Sequence, residues 1–104
     1  MIARVWRGWT KPQDAPAYEA LLRAKIFPAL VRDVPGFRGS SVLRRRTNDE
    51  EEFVVMTFFD SLDAVHAFAG DDLDVPVIEP EAARLLTRGD DRATHYEVAL
   101  FDRP

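Results

Sequence analysis

The sequence predicts an α+β domain of ferredoxin-like order: strand, helix, strand, strand, helix, strand. Three observations carry this. Short runs of β-branched and aromatic residues, bounded by turn residues, alternate with two amphipathic stretches. The third of those runs is apolar at every position from Phe53 to Phe59 except Thr57, so both of its faces must be covered. A chain of 104 residues holds one domain, taken as residues 1–104, and has no room for two. Right-handed crossovers of this order give a four-stranded antiparallel sheet with both helices on one face.

Each element follows from its residues. Ile2 to Trp9 reads as strand one, with no breaker before Gly8. Thr10 to Pro16 is a polar connection, in which Asp14 is placed to cap a helix with Pro16 in its first turn. Tyr18, Leu21, Leu22 and Ala29 fall on one stripe of that helix. Pro28 removes the backbone bond to Ala24, so a bend or a fresh turn is expected there, with Leu30 and Val31 facing inward beyond it. Val34-Pro35-Gly36 is a turn, because proline presets φ and glycine accepts positive φ. Strand two is expected from Phe37 to Arg46, a reversal at Thr47-Asn48-Asp49-Glu50, and strand three from Glu52 to Asp60. Ser61 caps the second helix, whose inward stripe is Leu62, Val65, Phe68 and Ala69. Val75 to Ile78 is a short apolar link between prolines, Glu79 to Thr87 a last piece of helix, and Thr94 to Phe101 the fourth strand.

Composition narrows the function classes. The 46% hydrophobic content supports one modest core, and no stretch approaches the ~20 apolar residues that span a bilayer. No basic n-region followed by an apolar run opens the chain, so a signal peptide is not expected and a cytoplasmic location is. The absence of cysteine excludes disulfides, thiolate nucleophiles and cysteine-held metal centres. A net charge of −4 makes nucleic acid a poor partner. Arg44-Arg45-Arg46 followed by Asp49-Glu50-Glu51-Glu52 reads as a solvated hairpin tip, with an anion site as the lesser alternative. On strand three, Val54, Met56 and Phe58 alternate with Phe53, Val55, Thr57 and Phe59. Helices cover one of these sets, and the other predicts a homodimer formed through the sheet faces.

Val34-Pro35-Gly36-Phe37-Arg38-Gly39, Phe58-Phe59-Asp60-Ser61-Leu62-Asp63-Ala64 and the Ala67-Phe68 beyond it resemble the antibiotic biosynthesis monooxygenase-like family of dimeric α/β barrels. The opening Ala3-Arg4-Val5-Trp6-Arg7-Gly8 and the closing His95-Tyr96-Glu97-Val98 resemble one branch of it. The resemblance implies a ferredoxin-like subunit whose sheet packs on its twin, with a pocket between sheet and helices. It also implies oxidation of aromatic polyketides or quinols without a cofactor or, in other members, breakdown of haem. Two departures stand out. The family's tryptophan at the end of strand three is Phe59 here, and the histidine nine residues later, an iron ligand in the haem-degrading members, is Phe68. Haem breakdown is therefore not expected, and no cofactor is.

Few side chains are suited to chemistry. His95 shares a strand face with Glu97 while Tyr96 points the other way; it is either a cross-strand pair at a sheet edge or a base for a phenolic substrate. His66 lies about 40° from Leu62 around its helix, at the margin of the stripe, as a solvent-edge residue or a pocket donor. Arg4 and Trp6 share a face of strand one, stacked on each other or lining a pocket where Arg4 stabilises a phenolate and Trp6 stacks on the ring. Tyr18 is a core residue or a pocket hydroxyl, and Lys25 reaches to water or is buried with a lowered pKa. Phe59, Phe68 and Tyr96 complete the candidate aromatic wall. No metal-binding constellation, phosphate loop or serine elbow is present.

These features support a small oxidoreductase, a monooxygenase acting on an aromatic or quinone-like metabolite. The alternative is a non-catalytic ligand-binding module of the same fold. An RNA-recognition domain shares the strand order but needs a basic, aromatic-bearing sheet signature that strand three lacks.

Overall fold

The computed structural model describes residues 1–104. Strands β1 (Ile2–Thr10) and β3 (Glu50–Phe59) pair antiparallel at the centre of the sheet, with β2 (Phe37–Thr47) beyond β3. Two short strands share the position on the other side of β1: β4 (Leu86–Gly89) pairs with Gly8 to Thr10, and β5 (Thr94–Glu97) with Ile2 to Val5. The expected antiparallel order is present, but its fourth position is divided, which makes five strands.

That division corrects the expected end of the chain. Helix α4 (Pro80–Leu85) stops two residues short of Thr87, and Leu86 to Gly89 extend along β1 instead. The free edge of β1 satisfies their backbone groups, and the β-branched Thr87 suits a strand, its hydroxyl donating to the Trp9 carbonyl. The fourth strand was expected to run to Phe101. It ends at Glu97, and only Val98 N–H adds a bond, to the Met1 carbonyl. β1 begins there, so the ladder has no further partner.

The first helical region is a continuous rod in four pieces: a 3₁₀ turn (Pro12–Asp14), α1 (Ala15–Leu21), a π-helical turn (Leu22–Ile26) and α2 (Phe27–Asp33). Asp14 is itself helical and makes no side-chain cap, contrary to expectation. The irregularity expected at Pro28 takes the form of the wide π turn just before it, where proline cannot donate to Ala24. Val31 lies outside the apolar stripe and is exposed, as is Leu62 at the start of α3 (Leu62–Ala69), while Leu30 and Val65 are buried. Ser61 caps α3 as expected, its Oγ accepting from the Ala64 N–H at 3.3 Å. The β2–β3 hairpin closes on Asn48, whose φ of 38° is tolerated by asparagine.

Register assigns the two faces of the sheet. Arg4, Trp6 and Gly8 of β1 lie beside Thr57, Val55 and Phe53 of β3, on the side the helices cover. Phe53 packs with Tyr18 and Leu22, and Phe59 with Ala64 and Val65. The other side carries Val5, Val54, Met56 and Phe58, none of which any helix covers.

Candidate functional site

Between the helix-covered face and the helices lies a cavity of about 70 Å³. Arg4, Trp6, Val55 and Thr57 form its floor, placed there by the two-residue period of β1 and β3. Tyr18 and Leu22 wall it from the first helical rod, and the π turn brings Ile26 and Phe27 to the same wall. Phe68 of α3 closes one end. The link between α3 and α4 lies over it, contributing Pro76, Val77, Ile78 and Glu79.

Arg4 is the centre of the polar part. It is 4% exposed, and burial lowers its pKa from the ordinary value against the opposing pull of Asp74, yet a guanidinium stays charged at any physiological pH. Its Nη1 donates to the Leu73 carbonyl and its Nη2 to the Val75 carbonyl at 2.7 Å. The arginine thus pins the covering link from below. Nη1 also lies 3.0 Å from His95 Nε2. A guanidinium can only donate, so Nε2 accepts and the proton sits on Nδ1, which donates to Asp74 Oδ1 at 3.1 Å. Burial first and the Arg4 charge second lower the His95 pKa, with Asp74 opposing both. The guanidinium also stands 5.5 Å from the Phe68 ring centre.

The remaining walls are apolar, with few polar atoms. The Trp6 indole N–H donates to the Asp90 carbonyl at 2.8 Å, which fixes the ring at the cavity edge. Tyr18 is 3% exposed and meets Phe53 edge-on at 4.8 Å; burial pushes its phenol up to about 12, so it stays a neutral donor.

The structure brings together some of the residues singled out in the sequence and separates others. Arg4, Trp6, Tyr18 and Phe68 line one cavity. His95 stands behind Arg4 rather than in the cavity, with both ring nitrogens engaged. Phe59 lies under the site, stacked on Phe68 at 5.8 Å. Tyr96, the neighbour of Ala3 in register, is on the opposite sheet face and 58% exposed. His66 is on the outer side of α3, bonded to Asp71 at 2.9 Å. Lys25 is exposed and paired with Glu81. No group of three His, Cys, Asp or Glu side chains could hold a metal ion.

Residues 1–72 match the family model for antibiotic biosynthesis monooxygenase, well over half of the chain. The chain belongs to the antibiotic biosynthesis monooxygenase family. The matched part contains Arg4, Trp6, Tyr18 and Phe68, whereas the covering link beyond Asp72, Asp74 and His95 lie outside it. Solved structures share the fold at low identity. A candidate antibiotic biosynthesis monooxygenase from Bacillus cereus has a TM-score of 0.68 at 16% identity, over 99% of this chain and 97% of that one. One from Deinococcus radiodurans gives 0.63 at 18% identity, over 100% and 98%. The heme-degrader MhuD of Mycobacterium tuberculosis, with two hemes in its active site, gives 0.57 at 23%, over 99% and 100%. At such identities the likeness is one of fold. No curated protein matches the chain.

Sequence reasoning missed Asp74 and the covering residues Pro76 to Glu79. A signal was present: Val75 to Ile78 is an apolar run in a loop, and apolar residues in a connection need something to cover.

Proposed function

We propose that this protein is a small oxidoreductase that binds a planar phenol or quinol between sheet and helices and directs its reaction with oxygen without a resident cofactor. One observation carries the reading: a single buried guanidinium, Arg4, borders a mostly apolar cavity walled by Trp6 and Phe68. A phenol becomes reactive toward oxygen as its anion. A fixed cation in a water-poor site favours that anion, and aromatic walls hold its ring. Electrons come from the substrate itself, so the chain needs only to bind, orient and exclude water.

Haem does not fit these residues. No imidazole reaches the cavity: Phe68 occupies its end, His66 is outside and both nitrogens of His95 are taken. Tyr18, held neutral by burial, is a poor iron ligand. About 70 Å³ is also far below the roughly 300–1,000 Å³ of ordinary ligand sites.

That small volume favours a second reading, a non-catalytic ligand-binding module. Oxygen uptake with catechol, hydroquinone and 1-naphthol separates the two. The oxidoreductase reading expects uptake with at least one of them, and a loss of about a hundredfold in kcat/KM for Arg4→Lys, which keeps the charge but not the fork. Binding of 1-naphthol without any oxygen uptake leaves the binding module.

The uncovered sheet face supports pairing of two copies. Val54, Met56 and Phe58 with the exposed Leu43 and Tyr96 present an apolar surface that a second sheet of the same kind would bury.

A further inference from the structure

Trp6 is seated by two glycines. Gly8 follows it by two residues on the same face of β1, and Gly89 of β4 is the direct neighbour of Gly8 across the ladder. A Cβ on Gly8 would stand 2.6 Å from Cη2 of the Trp6 ring and 3.0 Å from Leu86 Cδ2, and one on Gly89 would be closer still to Trp6 Cζ2. Real carbon atoms do not approach so near. Neither glycine has the positive φ that marks Gly36, Gly39 and Gly70, so their backbones would accept alanine without strain. What these positions require is an empty space, and the six-membered ring of the indole fills it.

We infer that the Gly8–Gly89 pair is a slot that sets the position of Trp6, and through it the width of ligand the cavity admits. The slot is on the helix side of the sheet, and the cavity lies between sheet and helices. A methyl group added at either glycine therefore displaces from its seat a ring that lines the cavity. The Trp6–Asp90 bond holds the indole by its N–H, from the segment that separates β4 from β5. The break in the fourth sheet position thus has a use: it delivers both the glycine and the carbonyl that meet the ring. Gly8 and Gly89 act as positioning residues, because neither needs to touch the ligand. The ligand-width role rests on the proposed phenol-binding cavity; the seating does not.

The test is a double-mutant cycle with a ligand arm. Gly89→Ala and Gly8→Ala each lower Tm by roughly 5–20 °C through overpacking. Trp6→Phe removes the outer ring atoms that clash, so Trp6→Phe/Gly89→Ala is more stable than the two single losses predict. If Gly89→Ala alone does not fold, recovery of a folded protein by the added Trp6→Phe is the same coupling. Additive losses, or failure of both Trp6→Phe/Gly89→Ala and Trp6→Phe/Gly8→Ala to fold, overturn the slot. Calorimetry with phenol and 1-naphthol reads the width. Gly8→Ala or Gly89→Ala, whichever is folded, weakens 1-naphthol about tenfold or more while phenol changes less, and Trp6→Phe in the same chain restores the wider ligand. Equal loss of both phenols overturns the width role. Coupling with no phenol bound by wild type or any variant overturns the cavity reading and the width role together, and leaves the seating established.

Discussion

The two faces of β3 carry nearly the same kind of residue and meet opposite fates. Phe53 and Phe59 are fully buried under the helices. Val54, Met56 and Phe58, which alternate with the helix-facing set, are only partly covered, and Leu43 beside them on β2 is 53% exposed. Apolar character alone therefore does not say where a side chain goes; it says that something must cover it. On one face the chain supplies the cover, with a cavity left inside. On the other the chain supplies no such cover, and the proposed pairing with a second sheet of the same kind would supply it.

The largest effect that distinguishes the faces is on stability. Phe53→Ala removes a ring packed against Tyr18, Leu22 and Ala82 and is expected to cost about 3–5 kcal/mol in denaturant unfolding. Met56→Asp is expected to act on association instead. Placing a charge in the middle of the pairing face weakens it by roughly 2 kcal/mol or more, about thirtyfold in Kd. Light scattering should show wild type at twice the chain mass and Met56→Asp shifting toward one, with the cavity-side packing intact by near-ultraviolet circular dichroism. If wild type has the mass of a single chain, the open face is not a dimer interface.

Both faces were legible in the sequence because a strand has a strict period of two. The same rule placed Arg4 beside Trp6 and turned Tyr96 away from His95, and the structure agrees in each case. What lay hidden depends on contacts between distant residues. Arg4 meets Leu73, Val75 and His95 across most of the chain, and no local pattern marks Asp74 as the acceptor that holds the imidazole. Leu86 and Thr87 looked like the end of a helix because the four-residue strand they open has almost no signature of its own. Its conformation is decided by the unpaired edge of β1. Val31 and Leu62 failed for a related reason. They sit near helix ends, where a stripe drawn at 100° per residue runs past the surface that the sheet offers.

A smaller effect tests the polar end of the covered face. His95 has a folded pKa below its ordinary 6.5, because it is buried and faces Arg4. On acidification through 6.5 the unfolded chain takes up a proton before the folded one does, so stability is flat above that value and falls below it, down to the folded pKa. The carboxylates held low by arginine partners, Glu19, Asp60 and Asp72 among them, lose stability only nearer pH 4, a separate window. A plot of Tm against pH for wild type should therefore begin to fall near pH 6.5. His95→Gln, which can still accept from Arg4 but cannot titrate, should stay level until the carboxylates protonate. Identical profiles would remove the imidazole from the clamp.

The smallest effect concerns the one large aromatic on the open face that is not left open. Trp9 is 6% exposed there, with the Arg88 guanidinium 3.8 Å from its ring centre and that of Arg7 at 5.4 Å. Two cations from the chain itself cover the indole, so this end of the face needs no partner sheet. Coverage and charge can be separated. Arg88→Met retains an apolar stem over the ring and deletes the cation, and it is expected to cost about 0.5–1 kcal/mol, with Arg7→Met costing less at its greater distance. Urea unfolding in low and high salt reads both. Neither variant should change the mass that Met56→Asp changes, because the arginine-covered end and the bare end of one sheet face do different work. A dimer lost on Arg88→Met would extend the pairing surface over Trp9 as well.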